Sequence, residues 1–326
     1  MTAGPHGTRA GSADDEQMPD MSLPAPGPVV VGVERSDCSR DALALGWTLA
    51  RATGSNLILV TVYRVAGRSA VMPPGTDAAA LAEEAESTLD WVARPLSSVP
   101  MTTRALPSTS VIGGLEQVAE DERALAIVLG PSHRGALGHV VPGSVGERLL
   151  HSAPCPVAVA PRGYWSFGSR RIREIGLGFV ATPEADEALC AAVGIALRTG
   201  AAIRALSVVE PSSVKAVPFG RNDPDIAQVV RDDLSQNLVR TLGDVTSPVD
   251  IAGEVVDGYA DDELARLSEE VDLLICGSRG RGRLDRVLHR SVTAGVLRKA
   301  RSPVLVVPRG ASDGFATLRA PAPPVD

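Results

Sequence analysis

Residues 153–163 read APCPVAVAPRG, and residues 300–310 read ARSPVLVVPRG. The second copy begins 147 residues after the first. In each, four aliphatic residues lie between two prolines, and Pro-Arg-Gly closes the phrase. A short aliphatic run bounded by breakers reads as a strand buried on both faces. The resemblance extends upstream. Gly130 and His133 are followed by nine residues and then Gly143-Ser144; Gly277 and Gly280 are followed by nine residues and then Arg290-Ser291. Each half lacks a glycine that the other half keeps.

Matches continue toward the N-terminus of each half. Gly32 aligns with Gly178, Ala42 with Ala188, and Thr53-Gly54 with Thr199-Gly200. In the first half, aliphatic runs at 29–33, 57–62, 124–129 and 157–160, with a weaker strand near 101–106, alternate with helical patterns. Asp77 reads as a helix cap, and Ser144-x-x-Glu147 reads as a capping box opening a short helix. The second half repeats this order with strands at 175–180, 203–209, 251–256, 273–276 and 303–307. Such alternation predicts right-handed crossovers and an α/β fold. The expected architecture is two tandem five-stranded parallel-sheet modules flanked by helices, each with strand order 3-2-1-4-5. A pseudo-twofold axis relates them, and the final strands meet across it. The predicted boundaries are a disordered tail over 1–26, a module over 27–163, a linker over 164–173, a second module over 174–310 and a second disordered tail over 311–326. Tyr164, Trp165 and Phe167 in the linker point to packing against a module or into the joint.

A strand ending in glycine, a loop of small and basic residues, and a serine at a helix start together suit an anion. Glycine lets backbone approach phosphate. The exposed N–H groups and dipole of a helix N-terminus favour negative charge. In open parallel sheets, ligands lie beyond the carboxyl ends of strands where the strand order reverses, here between the first and fourth strands. The pattern G-x2-G-x9-G-[ST], followed by a short helix and a PVLVVP-like strand, resembles the universal stress protein family over both modules. That resemblance implies a five-stranded parallel sheet, with ATP bound at this loop in many members and not in members lacking the motif. Carried over, it points to Gly130, Gly143 and Ser144 in module one, with His133 in place of the second glycine. In module two it points to Gly277, Gly280 and Ser291, with Arg290 in place of the third. The family's acidic residue after the first strand, near the adenosine, corresponds to Glu34 in module one and Val180 in module two. A glycine with positive φ at position 133 would make His133 a strained substitute; His133 and Arg290 are also side chains able to contact an anion.

Composition narrows the alternatives. The chain of 326 residues is 44% hydrophobic but only 3% aromatic, which suits a core of Val, Leu, Ile and Ala. A net charge of −7 argues against bulk nucleic-acid binding. No apolar run reaches the roughly 18 residues of a membrane span, and the N-terminus lacks the apolar segment of a signal peptide. Cys38, Cys155, Cys190 and Cys276 form no C-x-x-C pair and read as small hydrophobes of a reducing cytoplasm, a redox switch being the alternative. Gly176-x-Gly178-x-x-Ala181 lies inside a strand and not after one, unlike a dinucleotide fingerprint. Arg279, Arg281, Arg283 and Arg286 read as solvated surface or as triphosphate contacts. The histidines show no metal spacing, and no catalytic residues are assigned. The leading expectation is a cytoplasmic, non-enzymatic stress-response protein with ATP as a regulatory ligand, built as an internal pseudo-dimer with homodimerisation open. The alternatives are a scaffold with vestigial loops and, last, a slow ATPase.

Overall fold

The structure, a computed structural model, describes residues 26–65, 77–96, 100–167, 171–180, 182–211, 224–243, 245, 248–278, 292–308 and 315. Both expected tails lie outside these residues, apart from Pro26 at one boundary and Phe315 in the other. The first module runs β1 (Val29–Gly32), α1 (Asp37–Thr53), β2 (Leu57–Arg64), α2 (Ala78–Ala93), β3 (Met101–Ser108), α3 (Val111–Asp121), β4 (Ala126–Leu129), α4 (Ser144–Ser152) and β5 (Val157–Val159). The second runs β6 (Glu174–Gly178), α5 (Pro183–Thr199), β7 (Ala202–Val209), α6 (Pro224–Gly243), β8 (Ile251–Asp257), α7 (Ala260–Leu267), β9 (Leu273–Ser278), α8 (Val292–Lys299) and β10 (Val304–Pro308).

These ten strands form one sheet in the order β3-β2-β1-β4-β5-β10-β9-β6-β7-β8. Within each module the order is 3-2-1-4-5 and the pairing is parallel. The antiparallel joint of the sheet is β5 with β10, pairing Val159 with Val304, Ala158 with Leu305 and Val157 with Val306. The two copies of the repeated phrase are thus partners. Each alone would leave an unpaired apolar edge, and pairing removes both edges at once.

The strands at the middle of the sheet, β1, β4, β5 and β10, are almost wholly aliphatic because helices cover both faces. Val29 and Val31 face a layer formed by α1, α2, α5 and α6, whereas Val30 faces α3, α4, α7 and α8. The aligned Thr-Gly pairs are helix stops. Gly54 (φ 70) and Gly200 (φ 71) end α1 and α5 in the left-handed region, each N–H returning to a carbonyl of the last turn, a conformation glycine adopts without a Cβ penalty. Asp77 caps α2 by accepting the Ala79 N–H at 2.8 Å. Strand β3 extends two residues beyond the expected 106 to Ser108. Pro107 is tolerated there because β3 is an edge strand.

The linker seats on module one. Tyr164–Phe167 forms a single 3₁₀ turn, and Tyr164 is buried in the layer of α1. Trp165 remains half exposed, with Arg40 at 5.7 Å from its ring centre and 4.2 Å from that of Trp91.

Because the joint is a continuous ladder, the modules are expected to unfold together. Leu305 is fully buried in it. Leu305→Ala should lower stability by about 2–5 kcal/mol in a single urea transition reported by far-UV circular dichroism. Two separated transitions, one of them unmoved by the substitution, would contradict a shared sheet.

Candidate functional site

The end of β4 runs against the start of α1. A Cβ on Gly130 would stand 2.1 Å from the Cys38 carbonyl oxygen, so only glycine fits between these backbones. Beyond it, residues 131–142 form a closed loop. Pro131 and Pro142 face each other as an isolated bridge, and the Ser132 N–H donates to the Val141 carbonyl at 2.6 Å. Arg162, just beyond β5, is exposed and braces the loop. Its Nη1 donates to the carbonyls of Gly135 (2.6 Å) and His133 (3.1 Å). Its backbone N–H donates to His139 at 3.0 Å, and its carbonyl accepts from Gly138 at 2.9 Å.

His133 does not occupy the left-handed region: among the described residues, Arg123 is the one non-glycine with positive φ. The strain that a glycine position would impose on it is therefore absent. Its ring instead spans the gap between the carboxyl ends of β1 and β4. Nε2 lies 2.7 Å from Glu34 Oε1, and Nδ1 lies 3.6 Å from the Cys38 sulfur. A proton on Nε2 donated to the carboxylate leaves Nδ1 free to accept the thiol proton, so the neutral ring satisfies both contacts. Burial, then the Asp41 carboxylate, raises the Cys38 thiol pKa above its usual value, with Arg162 opposing. Cys38 is accordingly a neutral thiol. Glu34 is about two-thirds exposed, and its N–H donates to Ser39 Oγ at 2.8 Å.

The helix beyond the loop opens one residue earlier than a capping box requires. Gly143 is the cap of α4, and Ser144 is its first helical residue. Gly143 has no side chain to accept the first N–H groups of α4. The Glu147 N–H bonds the Gly143 carbonyl at 2.9 Å, which fixes the register. Around Gly143 the space is open: among the described residues, no atom other than those of its own chain neighbours lies within 4 Å of where a Cβ would stand.

Glu34, Gly130, His133, Gly143 and Ser144 thus belong to one loop and its facing strand end. Cys38 and Arg162 also belong to this corner, and motif spacing missed both. The available signal for Arg162 was the Pro-Arg-Gly that recurs in both halves. In module two, Val180 is exposed after β6, and Gly277 lies within β9, paired with Val307. Gly280, Arg290, Ser291 and the arginines from 279 to 286 lie outside the described residues.

A model of the universal stress protein family matches the chain twice, over residues 27–161 and 172–308. Universal stress proteins of Mycobacterium bovis and Mycobacterium tuberculosis are 27% identical over 293 residues, spanning 86% of this chain and 99% of each relative. The crystal structure of a universal stress protein from Archaeoglobus fulgidus matches with a TM-score of 0.62 at 18% identity, over 86% of this chain and 98% of the other. A protein of unknown function from Pseudomonas aeruginosa gives 0.60, also at 18% identity, over 90% and 96%. At such identity the two structures speak for the fold. The family matches cover both modules and leave out most of the linker, and the chain belongs to the universal stress protein family.

Proposed function

We propose that this protein binds an adenine nucleotide, ATP, in module one as a regulatory ligand and not as a substrate. The observation that carries the reading is Gly143. Its φ of −78° suits any residue, and no neighbour excludes a side chain. At a helix cap, Ser, Asp or Asn would serve the helix better. Glycine here keeps the approach to the N-terminus of α4 clear, where unpaired N–H groups and the dipole favour phosphate. Gly130 and the loop would border the phosphates, the Ser144 hydroxyl would donate to one, and Glu34 stands where the family resemblance puts the contact near the adenosine. No catalytic residue is assigned, and the reading is confined to binding. Among the described residues no helix is long and apolar enough to cross a membrane. The four cysteines are free, the state a reducing cytoplasm maintains, and the proposal places the protein there.

One observation favours the scaffold alternative. His133 already engages Glu34 across the opening, so a nucleotide must displace that contact. The pair is exposed on both sides, and such pairs contribute at most about 1 kcal/mol. Displacement is therefore within reach of a ligand that gains charged hydrogen bonds to phosphate.

Isothermal titration with ATP tests both points. Ser144→Ala should weaken binding by about 1.5–3 kcal/mol, the contribution of a hydrogen bond to a charged group, while Ser291→Ala leaves it unchanged. A loss confined to Ser291→Ala would move the site to module two. His133→Gly should raise affinity by no more than about fivefold at pH 7.5, because it frees Glu34 from an exposed pair and relieves no backbone strain. Weaker binding by His133→Gly would make His133 a ligand contact, and absence of binding in every form would favour the scaffold.

A further inference from the structure

Asp41 is a carboxylate on α1 that is only 2% exposed. Among the described residues it forms no ion pair; its two oxygens accept backbone N–H groups at the junction of module one and the linker. Oδ2 takes Gly163 at 2.9 Å, and Oδ1 takes Trp165 at 3.0 Å. Gly163 has φ 83, a left-handed turn that brings its own N–H and that of Trp165 onto the one carboxylate, as backbone nests do for anions. The residue before this nest is Arg162, held by the 131–142 loop through its guanidinium, its N–H and its carbonyl. Movement about Gly163 must therefore displace Arg162. The loop is tethered on its other side as well, since the Val140 N–H donates to the Ala300 carbonyl of module two at 3.3 Å.

We infer that Asp41 and Arg162 form a relay through which the seating of the inter-module linker sets the conformation of the module-one loop. Arg162 is a positioning residue: it shapes the loop from behind by its two carbonyl contacts. Asp41 acts only through Arg162, by fixing the turn that aims it. The consequence for ligand affinity rests on the nucleotide reading above; the relay itself does not. A similar set of residues occurs in the second half, where Glu187 aligns with Asp41 and Arg309-Gly310 with Arg162-Gly163. Phe315, which follows that pair in sequence, lies in the same buried layer that holds Tyr164.

Hydrogen–deuterium exchange on the full-length chain without nucleotide tests the relay, with ATP titration of the same samples. Asp41→Asn keeps the side chain's size but turns an amide N–H toward backbone donors, and Arg162→Ala removes the carbonyl contacts at an exposed position. Each should speed exchange in peptides covering 131–142 by about tenfold or more and leave β1 and β4 peptides unchanged. Arg162→Lys, which keeps the charge but not the fork, should fall between Arg162→Ala and the parent. Loop exchange at the parent rate in either Asp41→Asn or Arg162→Ala would overturn the relay, and Arg162→Ala alone decides it should Asp41→Asn fail to fold. Loosening of the loop with ATP affinity unchanged would uphold the relay and move the nucleotide away from this loop, whereas loosening with no ATP binding in any form would uphold the relay and remove the nucleotide reading.

Discussion

The antiparallel contact of β5 with β10 is the constraint on which the other features depend. Only three residue pairs make it, yet it converts two five-stranded sheets into one of ten. With that ladder in place, α1 and α5 lie side by side on one face. There Arg198 donates to the Thr53 carbonyl at 3.0 Å, at the end of α1. On the opposite side the module-one loop reaches Ala300. The sheet's remaining edges are β3 and β8, the most solvent-exposed strands of each module. Their exposed polar positions, such as Thr102, Thr103 and Glu254, suit an edge that stays unpaired.

The fold was largely legible because its determinants are side-chain patterns. Aliphatic runs mark strands covered on both faces, Thr-Gly marks the helix stops, and the repeated Pro-bounded phrase identifies the two strands that meet. The site was legible only in outline. Arg162 escaped notice because its partners are backbone carbonyls, and carbonyls leave no trace in residue identity. The same holds for the Gly130 approach to the Cys38 carbonyl. Gly143 and Ser144 are both acceptable caps, so the choice between them rests on backbone register, which placed the helix start at Ser144. For His133 the spacing suggested a glycine conformation, whereas the loop's internal hydrogen bonds let the chain pass that point with an ordinary backbone.

The two glycines kept in the module-one loop have different physical status. Gly130 is demanded by packing between β4 and α1 whether or not a ligand ever binds. Its presence would persist in a protein that had abandoned nucleotides. Gly143 has no such internal reason. A motif match that counts both equally overstates one and understates the other, and the distinction emerges only when the space around each is known. Cys38 sits at the same packing contact. Its buried, neutral thiol makes it a filler between strand and helix, in line with the small-hydrophobe reading of the cysteines.

Joining the two halves in one chain has a consequence for how they respond to abundance. Separate subunits held by so short a ladder would part on dilution, and their pairing would depend on how much protein the cell contains. Here the residues between Gly163 and Glu174 keep the second edge within reach of the first, at an effective concentration on the order of millimolar, as for short linkers generally. Assembly becomes independent of expression level. The halves also cease to be copies of one gene product, so a substitution in one loop leaves the other untouched. His133 in one half and Arg290 in the other are differences that no symmetric homodimer could carry.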